Sequence, residues 1–158
     1  MSREKMVMCL FLATIMISLV FLVYTSYVYF NTYTLSSELQ LSIEEFNVTA
    51  QESSILVHTV LLFGNPSNLQ LKITHVHEEL YADLGHTYLL GNNYLRPLAG
   101  DDYVLLVSPF SNGTATINIT IDALEGSITE WFIVLKIRVM DVPFVENLYL
   151  TRYLTWPA

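Results

Sequence analysis

The stretch ILVHTVLLFGNPSNLQLKI, Ile55 to Ile73, decides the fold. Its first run, Ile55 to Phe63, is rich in β-branched and large apolar residues, the composition of a half- or fully buried strand. Gly64-Asn65-Pro66-Ser67-Asn68 then breaks the run with turn chemistry. Pro66 fixes its own φ and has no N–H for a ladder, Gly64 tolerates φ > 0, and Asn65 can bond nearby backbone. Leu69, Leu71 and Ile73 resume an alternation of two, so Asn65 and Pro66 are read as turn-formers between two consecutive strands.

Outward from this pair, composition separates the chain into two parts. The 158 residues carry a net charge of −8 and a mean hydropathy of +0.43. The apolar excess lies at the start, where the 25 residues from Met6 to Phe30 include no charged side chain. About 17–25 apolar residues cross a bilayer core as a helix. Arg3 and Lys5 precede the run and no Lys or Arg follows until Lys72. That bias places residues 1–5 in the cytoplasm, residues 6–30 in the lipid bilayer as a single-pass signal-anchor, and the rest outside the cell membrane. Tyr24, Tyr27, Tyr29 and Tyr33 fall where an outer aromatic belt belongs. The run is longer than a cleaved signal and is followed by bulky residues, which favours the anchor. Cys9, the only cysteine, precedes most of the run, the wrong side for a lipidated residue, and reads as a small apolar side chain.

Residues 31–38 read as a short polar stalk and 39–158 as one extracytoplasmic domain. From residue 31 on there are five Lys/Arg against fourteen Asp/Glu, a net charge of −9 that argues against a nucleic-acid partner. Without cysteine, this domain is held by packing alone.

Along the domain, Leu39, Leu41 and Ile43 alternate in one phase and Phe46, Val48 and Ala50 in the other. That predicts a bulge near Glu44-Glu45 or two short strands. After Ile73 the strand runs to a turn at Asp83-Leu84-Gly85, and His86 to Leu90 is expected to pair back as a hairpin. Gly91-Asn92-Asn93 and Ala99-Gly100-Asp101-Asp102 read as turns, Tyr103 to Val107 as a strand, and Asn112-Gly113 as a hairpin turn. Ala115 to Ile121 and Thr129 to Met140 alternate cleanly, with a weakly signalled helical turn within 123–130. Leu148, Leu150 and Leu154 form a last strand before a tail at Trp156-Pro157-Ala158. Seven to eight short strands with a turn every 8–14 residues predict an all-β, antiparallel, immunoglobulin- or fibronectin-III-like β-sandwich behind one transmembrane α-helix.

The order of apolar strand, Asn65-Pro66, the pair Leu80-Tyr81, Gly85 and Gly91, and the strand Tyr103 to Val107 resembles the LEA14-like family, also called the water-stress and hypersensitive-response (WHy, LEA-2) domain. The resemblance covers roughly residues 40–155. It departs from the family pattern at Ser67, in the long segment Asn92–Asp102, and from Ala115 onward, where only the strand pattern matches. It implies an immunoglobulin-like sandwich, often behind one membrane helix and linked to stress protection, with no catalytic residues.

Several side chains invite chemistry. His75, His77 and Glu79 share one strand face if the alternation holds, a spacing that suits a transition metal with His58 or His86 as fourth ligand; the simpler reading is a solvated strand face. Ser108, His86 and Asp101 supply the types of a hydrolytic triad, but no nucleophile elbow surrounds Ser108. Asp101-Asp102 lacks the spaced ligands of a calcium loop. Asn47, Asn112 and Asn118 each begin an Asn-x-Thr sequon and are candidate glycan sites, whereas Pro66 disqualifies Asn65. No cofactor pattern is present. The sequence thus predicts a non-enzymatic interaction or stress-protection domain with a protein or cell-surface partner. The alternatives are a structural subunit of an envelope, archaellum- or pilus-type assembly that binds a surface layer and, third, a metal-dependent hydrolase.

Overall fold

The apolar N-terminal run forms a helix because it has no interior Gly or Pro and only scattered polar residues. Helix α1 spans Arg3–Glu38 and is capped by Ser2, whose side chain accepts from the Lys5 N–H. At 1.5 Å per residue it is about 54 Å long, well beyond the ~30 Å of a hydrocarbon core. It is long and apolar enough to cross a membrane and is a candidate membrane anchor. The computed structural model of the protein describes residues 2–122, 128, 130–142 and 145–157.

The helix does not end where the apolar run ends. Residues 31–38, expected as a polar stalk, are its last turns. Val28, Asn31, Leu35 and Leu39 recur at helical spacing and are all buried, and Leu35 and Leu39 belong to the domain's core. The first strand begins at the next residue.

Eight strands are present among the described residues: β1 Gln40–Ala50, β2 Ser54–Gly64, β3 Leu71–Tyr81, β4 Leu89–Leu95, β5 Leu105–Val107, β6 Asn112–Asp122, β7 Glu130–Val142 and β8 Val145–Pro157. They form two antiparallel sheets, an all-β sandwich behind one helix. One sheet has the order β1-β2-β6. The other has the order β4-β3-β7-β8, with β5 pairing β3 on the same edge as β4.

Alternation explains the core. Ile117, Ile119 and Ile121 of β6 face Trp131, Ile133, Leu135, Ile137 and Val139 of β7 across the interior. Two register shifts reset the phase. One, between Ile43 and Glu45, lets both Ile43 and Phe46 pack inward. Phe46 then meets Trp131 and Trp156 of the other sheet at ring-centroid distances of 5.6 and 5.8 Å. The second shift, between Ile73 and His75, turns Val76, Glu78 and Leu80 inward and His75, His77 and Glu79 outward.

As expected, Asn65 and Pro66 lie between two consecutive strands; these belong to different sheets, and the Asn65–Gln70 turn carries the chain from one to the other. Several other local expectations are corrected. The return strand begins at Leu89, so Gly91-Asn92-Asn93 lies inside β4 and is not a turn. A Cβ on Gly91 would come within 2.5 Å of Ile121, so glycine is needed there for the close approach of β4 to β6. The strand expected from Tyr103 is only Leu105–Val107. Asn112-Gly113 opens β6 and is not a hairpin turn, because β5 and β6 belong to different sheets. Trp156 and Pro157 belong to β8 and not to a tail. The helical turn within 123–130 falls largely outside the described residues.

Asn65 holds the sheet crossing. Its side-chain amide donates to the carbonyls of Leu69, Val107 and Ser108 at 2.7, 3.3 and 3.1 Å. Its Oδ1 accepts from the Ser67 N–H and hydroxyl at 3.1 and 2.8 Å. Replacing this buried hub strands several polar groups, each costly to leave unmade. Asn65→Ala is expected to destabilise the full chain in detergent by about 3 kcal/mol, and Pro66→Ala by no more than ~1 kcal/mol. Denaturant unfolding with both variants checks this; equal losses would show that the proline's rigidity, not the asparagine's bonds, holds the turn.

Candidate interaction site

The outer face of the five-stranded sheet is where the remaining polar chemistry gathers. It is built in rows by the strand register. Tyr94 of β4 lies opposite His77 of β3, which lies opposite Lys136 of β7, which lies opposite Thr151 of β8. The neighbouring row runs His75, Arg138, Tyr149, and the next Asn92, Glu79, Val134, Tyr153.

Contacts within the rows are specific. The His77 ring stacks on Tyr94 with centroids 3.9 Å apart and planes 16° from parallel. Arg96 lies over the other reach of Tyr94, 5.2 Å from its centroid, and Arg138 lies 5.9 Å from that of Tyr149. Arg138 also donates through Nε to Asn147 at 2.8 Å. Lys136 donates to Glu79, which accepts as well from the Tyr81 hydroxyl at 3.1 Å. Tyr149 and Tyr153 remain 71% and 66% exposed, although Arg138 lies against the first and His86 beside the second.

Charge follows from this packing. Burial lowers the His75 imidazole, and the nearby Arg96, His77 and Arg138 lower it further. Burial also lowers His77, against a smaller raising effect of Glu79. Burial pushes the Glu79 carboxyl up, but the bonds from Lys136 and Tyr81 and the Lys136 charge more than offset it, leaving it below the ordinary range. At neutral pH the histidines are therefore neutral, Glu79 is neutralised by Lys136, and Arg96 and Arg138 leave the face positive within an acidic domain.

His75, His77 and Glu79 do share this face, as the spacing suggested. Glu79 is taken up by Lys136 and Tyr81, and His77 is stacked under Tyr94 with its Nδ1 3.5 Å from Glu79 Oε1. Among the described residues no group of three His, Cys, Asp or Glu is arranged to hold a metal ion. The two proposed fourth ligands are elsewhere. His58 is on the outer face of the three-stranded sheet, with Nδ1 2.7 Å from Asn118 Oδ1. His86 lies past the far end of β3 at φ 52, beside Tyr81, Phe132 and Tyr153.

Ser108 and His86 lie beyond opposite ends of the eleven-residue β3, about 30 Å apart at 3.3 Å per residue. Asp101 and Asp102 are exposed in the loop between β4 and β5. Asn47 and Asn118 flank His58 in one row of the three-stranded sheet, and both are exposed, as is Asn112 at the start of β6. The three sequons are thus presented away from the aromatic face.

One polar residue escaped the sequence reading. Glu78 is fully buried between the sheets, where its Oε1 accepts from Thr59 at 2.9 Å and its Oε2 meets no donor among the described residues. Its signal was available: the adjacent Glu78 and Glu79 must face opposite ways. Burial raises its carboxyl from 4.5 to about 7, with the Thr59 bond opposing. A folded-state value above the unfolded one means that the core holds the protonated form. Stability is full below the unfolded value and falls as pH rises through about 7, a loss of about 3 kcal/mol across that window. Glu78→Gln is expected to flatten this slope and to melt higher than the parent at pH 8; parallel melting curves at pH 5 and pH 8 would show that Glu78 is not the titrating group.

Neither a protein-family model nor a curated protein sequence matches this chain. Solved structures do match in fold. An X-ray structure of the Northeast Structural Genomics Consortium target SoR45 is 10% identical, with a TM-score of 0.54 over 78% of this chain and 89% of that one. The solution structure of AT1g01470 from Arabidopsis thaliana is 12% identical, with a TM-score of 0.51 over 75% of this chain and 79% of that one. At such identities the likeness is one of fold alone.

Proposed function

We propose that the chain is a non-enzymatic interaction module of LEA14-like type. Helix α1 anchors it in a membrane with the sandwich outside the cell, and the outer face of the five-stranded sheet receives an acidic partner. The observation that carries this reading is the face itself. Arg96, Lys136 and Arg138 lie among Tyr94, His77 and Tyr149, while the domain as a whole is strongly acidic. Aromatic rings and Arg are the side chains that dominate binding when they are held in place beforehand. Here the guanidiniums rest over tyrosine rings, so little freedom remains to be lost on docking.

The membrane side of the proposal rests on Arg3 and Lys5 before the apolar helix and no further cation before Lys72. A role in stress protection enters through the family resemblance, which the Asn65-Pro66 crossing and the sandwich fold support. The distance between Ser108 and His86 weighs against a Ser-His-Asp site.

Reversing the charge of the face tests the assignment. Lys136→Glu with Arg138→Glu, in the full chain recovered from its native membrane, is expected to retain about tenfold less of its partner, equivalent to ~1.4 kcal/mol. Glu44→Lys with Glu45→Lys on the other sheet serves as the control. If the control loses the partner and the face variant keeps it, the binding surface lies on the three-stranded sheet. In intact cells, an impermeant maleimide is expected to label a cysteine placed at exposed Leu84; labelling only after lysis would put the sandwich in the cytoplasm.

A further inference from the structure

The sandwich carries a second surface of a different kind, at the end where the helix enters. Two crossings between the sheets meet there. Strands β2 and β6 are extended by one rung beyond Gly64 and Asn112, with the Asn65 N–H donating to Ser111 O at 2.9 Å. The next rung is the tip, where the Phe110 N–H donates to Ser67 O at 3.2 Å. Phe110 lies roughly 7 Å beyond the level of Gly64, which pairs with the first residue of β1. The tip therefore reaches back alongside the last turns of the helix, and Asn68 donates to the Tyr27 hydroxyl at 2.9 Å.

The helix supplies a depth scale. Eighteen to twenty residues from Met6 cover about 30 Å, so the hydrocarbon edge falls near Tyr24. Tyr27, Tyr29, Phe30 and Tyr33, all more than half exposed, then occupy the next ~10 Å, the headgroup layer. The tip that bonds Tyr27 lies at the same depth.

Its chemistry suits that layer. The two stretches that build it, 59–71 and 103–121, meet at a charge-free tip within an acidic domain; neither contains Asp, Glu, Lys or Arg, and the nearest charges, Lys72, Asp102 and Asp122, lie just outside them. Pro66 and Pro109 have no N–H to leave unpaired. The Asn65 amide satisfies the carbonyls of Leu69, Val107 and Ser108, and Ser67 is bonded back to Asn65. A backbone that consumes its own polar groups is what a low-water environment demands. Phe110 nevertheless adopts φ 53, which is costly for a bulky residue, and its ring is 73% exposed. Among the described residues, the exposed ring gains no burial that would offset that cost.

We infer that the Pro66/Phe110 tip is a membrane-contact site: it inserts the Phe110 ring into the interfacial layer of the leaflet next to the sandwich and so gives the domain a second point of attachment beside the helix. The inference rests on the membrane-anchored reading of α1. Rings of this kind are favoured at that depth.

Tryptophan at three positions of the full chain, in phosphatidylcholine vesicles with and without lipid brominated high on the acyl chain, separates the outcomes. Emission is read as the difference from the parent, which contributes Trp131 and Trp156 throughout. Phe110→Trp is expected to show a blue-shifted emission that loses intensity in brominated vesicles, whereas Leu84→Trp, 73% exposed at the opposite end, stays water-like and unquenched. Phe21→Trp reports insertion of the helix through quenching by lipid brominated deep in the chain. If Phe21→Trp is quenched and Phe110→Trp behaves like Leu84→Trp, the contact site is refuted while the anchor stands. If Phe21→Trp is not quenched, the anchor fails and the contact site with it.

Discussion

The carboxamide of Asn65 is the interaction on which the rest of the structure depends. A sandwich needs the chain to leave one sheet and enter the other, and each crossing strands carbonyls that no ladder satisfies. Two such crossings converge at the helix end of this molecule, after β2 and after β5. A single side chain serves both, donating to Leu69 on the first and to Val107 and Ser108 on the second. The opposed core faces are thereby set in register: Ile117 to Ile121 on one side, Ile133 to Val139 on the other. No disulfide assists, since the one cysteine lies on the helix.

Strand alternation was the most legible part of the sequence, because a period of two translates directly into burial. It located β2, β6 and β7, whose alternate residues line the core, and it located the phase change at Glu44-Glu45. What it misjudged was turn chemistry. Gly91 and Gly113 were read as turn residues because glycine permits positive φ. In fact they sit in strands, where a Cβ would meet Ile121 at 2.5 Å and Val107 at 3.0 Å. Close approach and positive φ both select glycine, and sequence alone does not separate them. The reverse occurred at Phe110 and His86, where non-glycine residues take positive φ with no local signal.

The candidate site was half legible. Spacing placed His75, His77 and Glu79 together, and that juxtaposition is real. Its meaning changed once the partners were visible, because Tyr94, Lys136 and Arg138 come from strands 17 to 63 residues away, measured from His77 and His75. Those partners convert a possible ligand set into a positively charged, ring-rich surface. Glu78 carries the same lesson inward: adjacent Glu78 and Glu79 signal that one of them faces the core, and the bulge at Thr74 decides which.

The buried stripe Val28, Asn31, Leu35 and Leu39 has a mechanical consequence. A domain joined to its helix through flexible residues tumbles independently of it. Here Leu35 and Leu39 join the domain's core, so no polar stalk separates helix and sandwich. Under the membrane-anchored reading proposed above, tilt is set by the match between apolar length and hydrocarbon thickness. The direction in which the five-stranded face is presented then depends on the thickness of that bilayer.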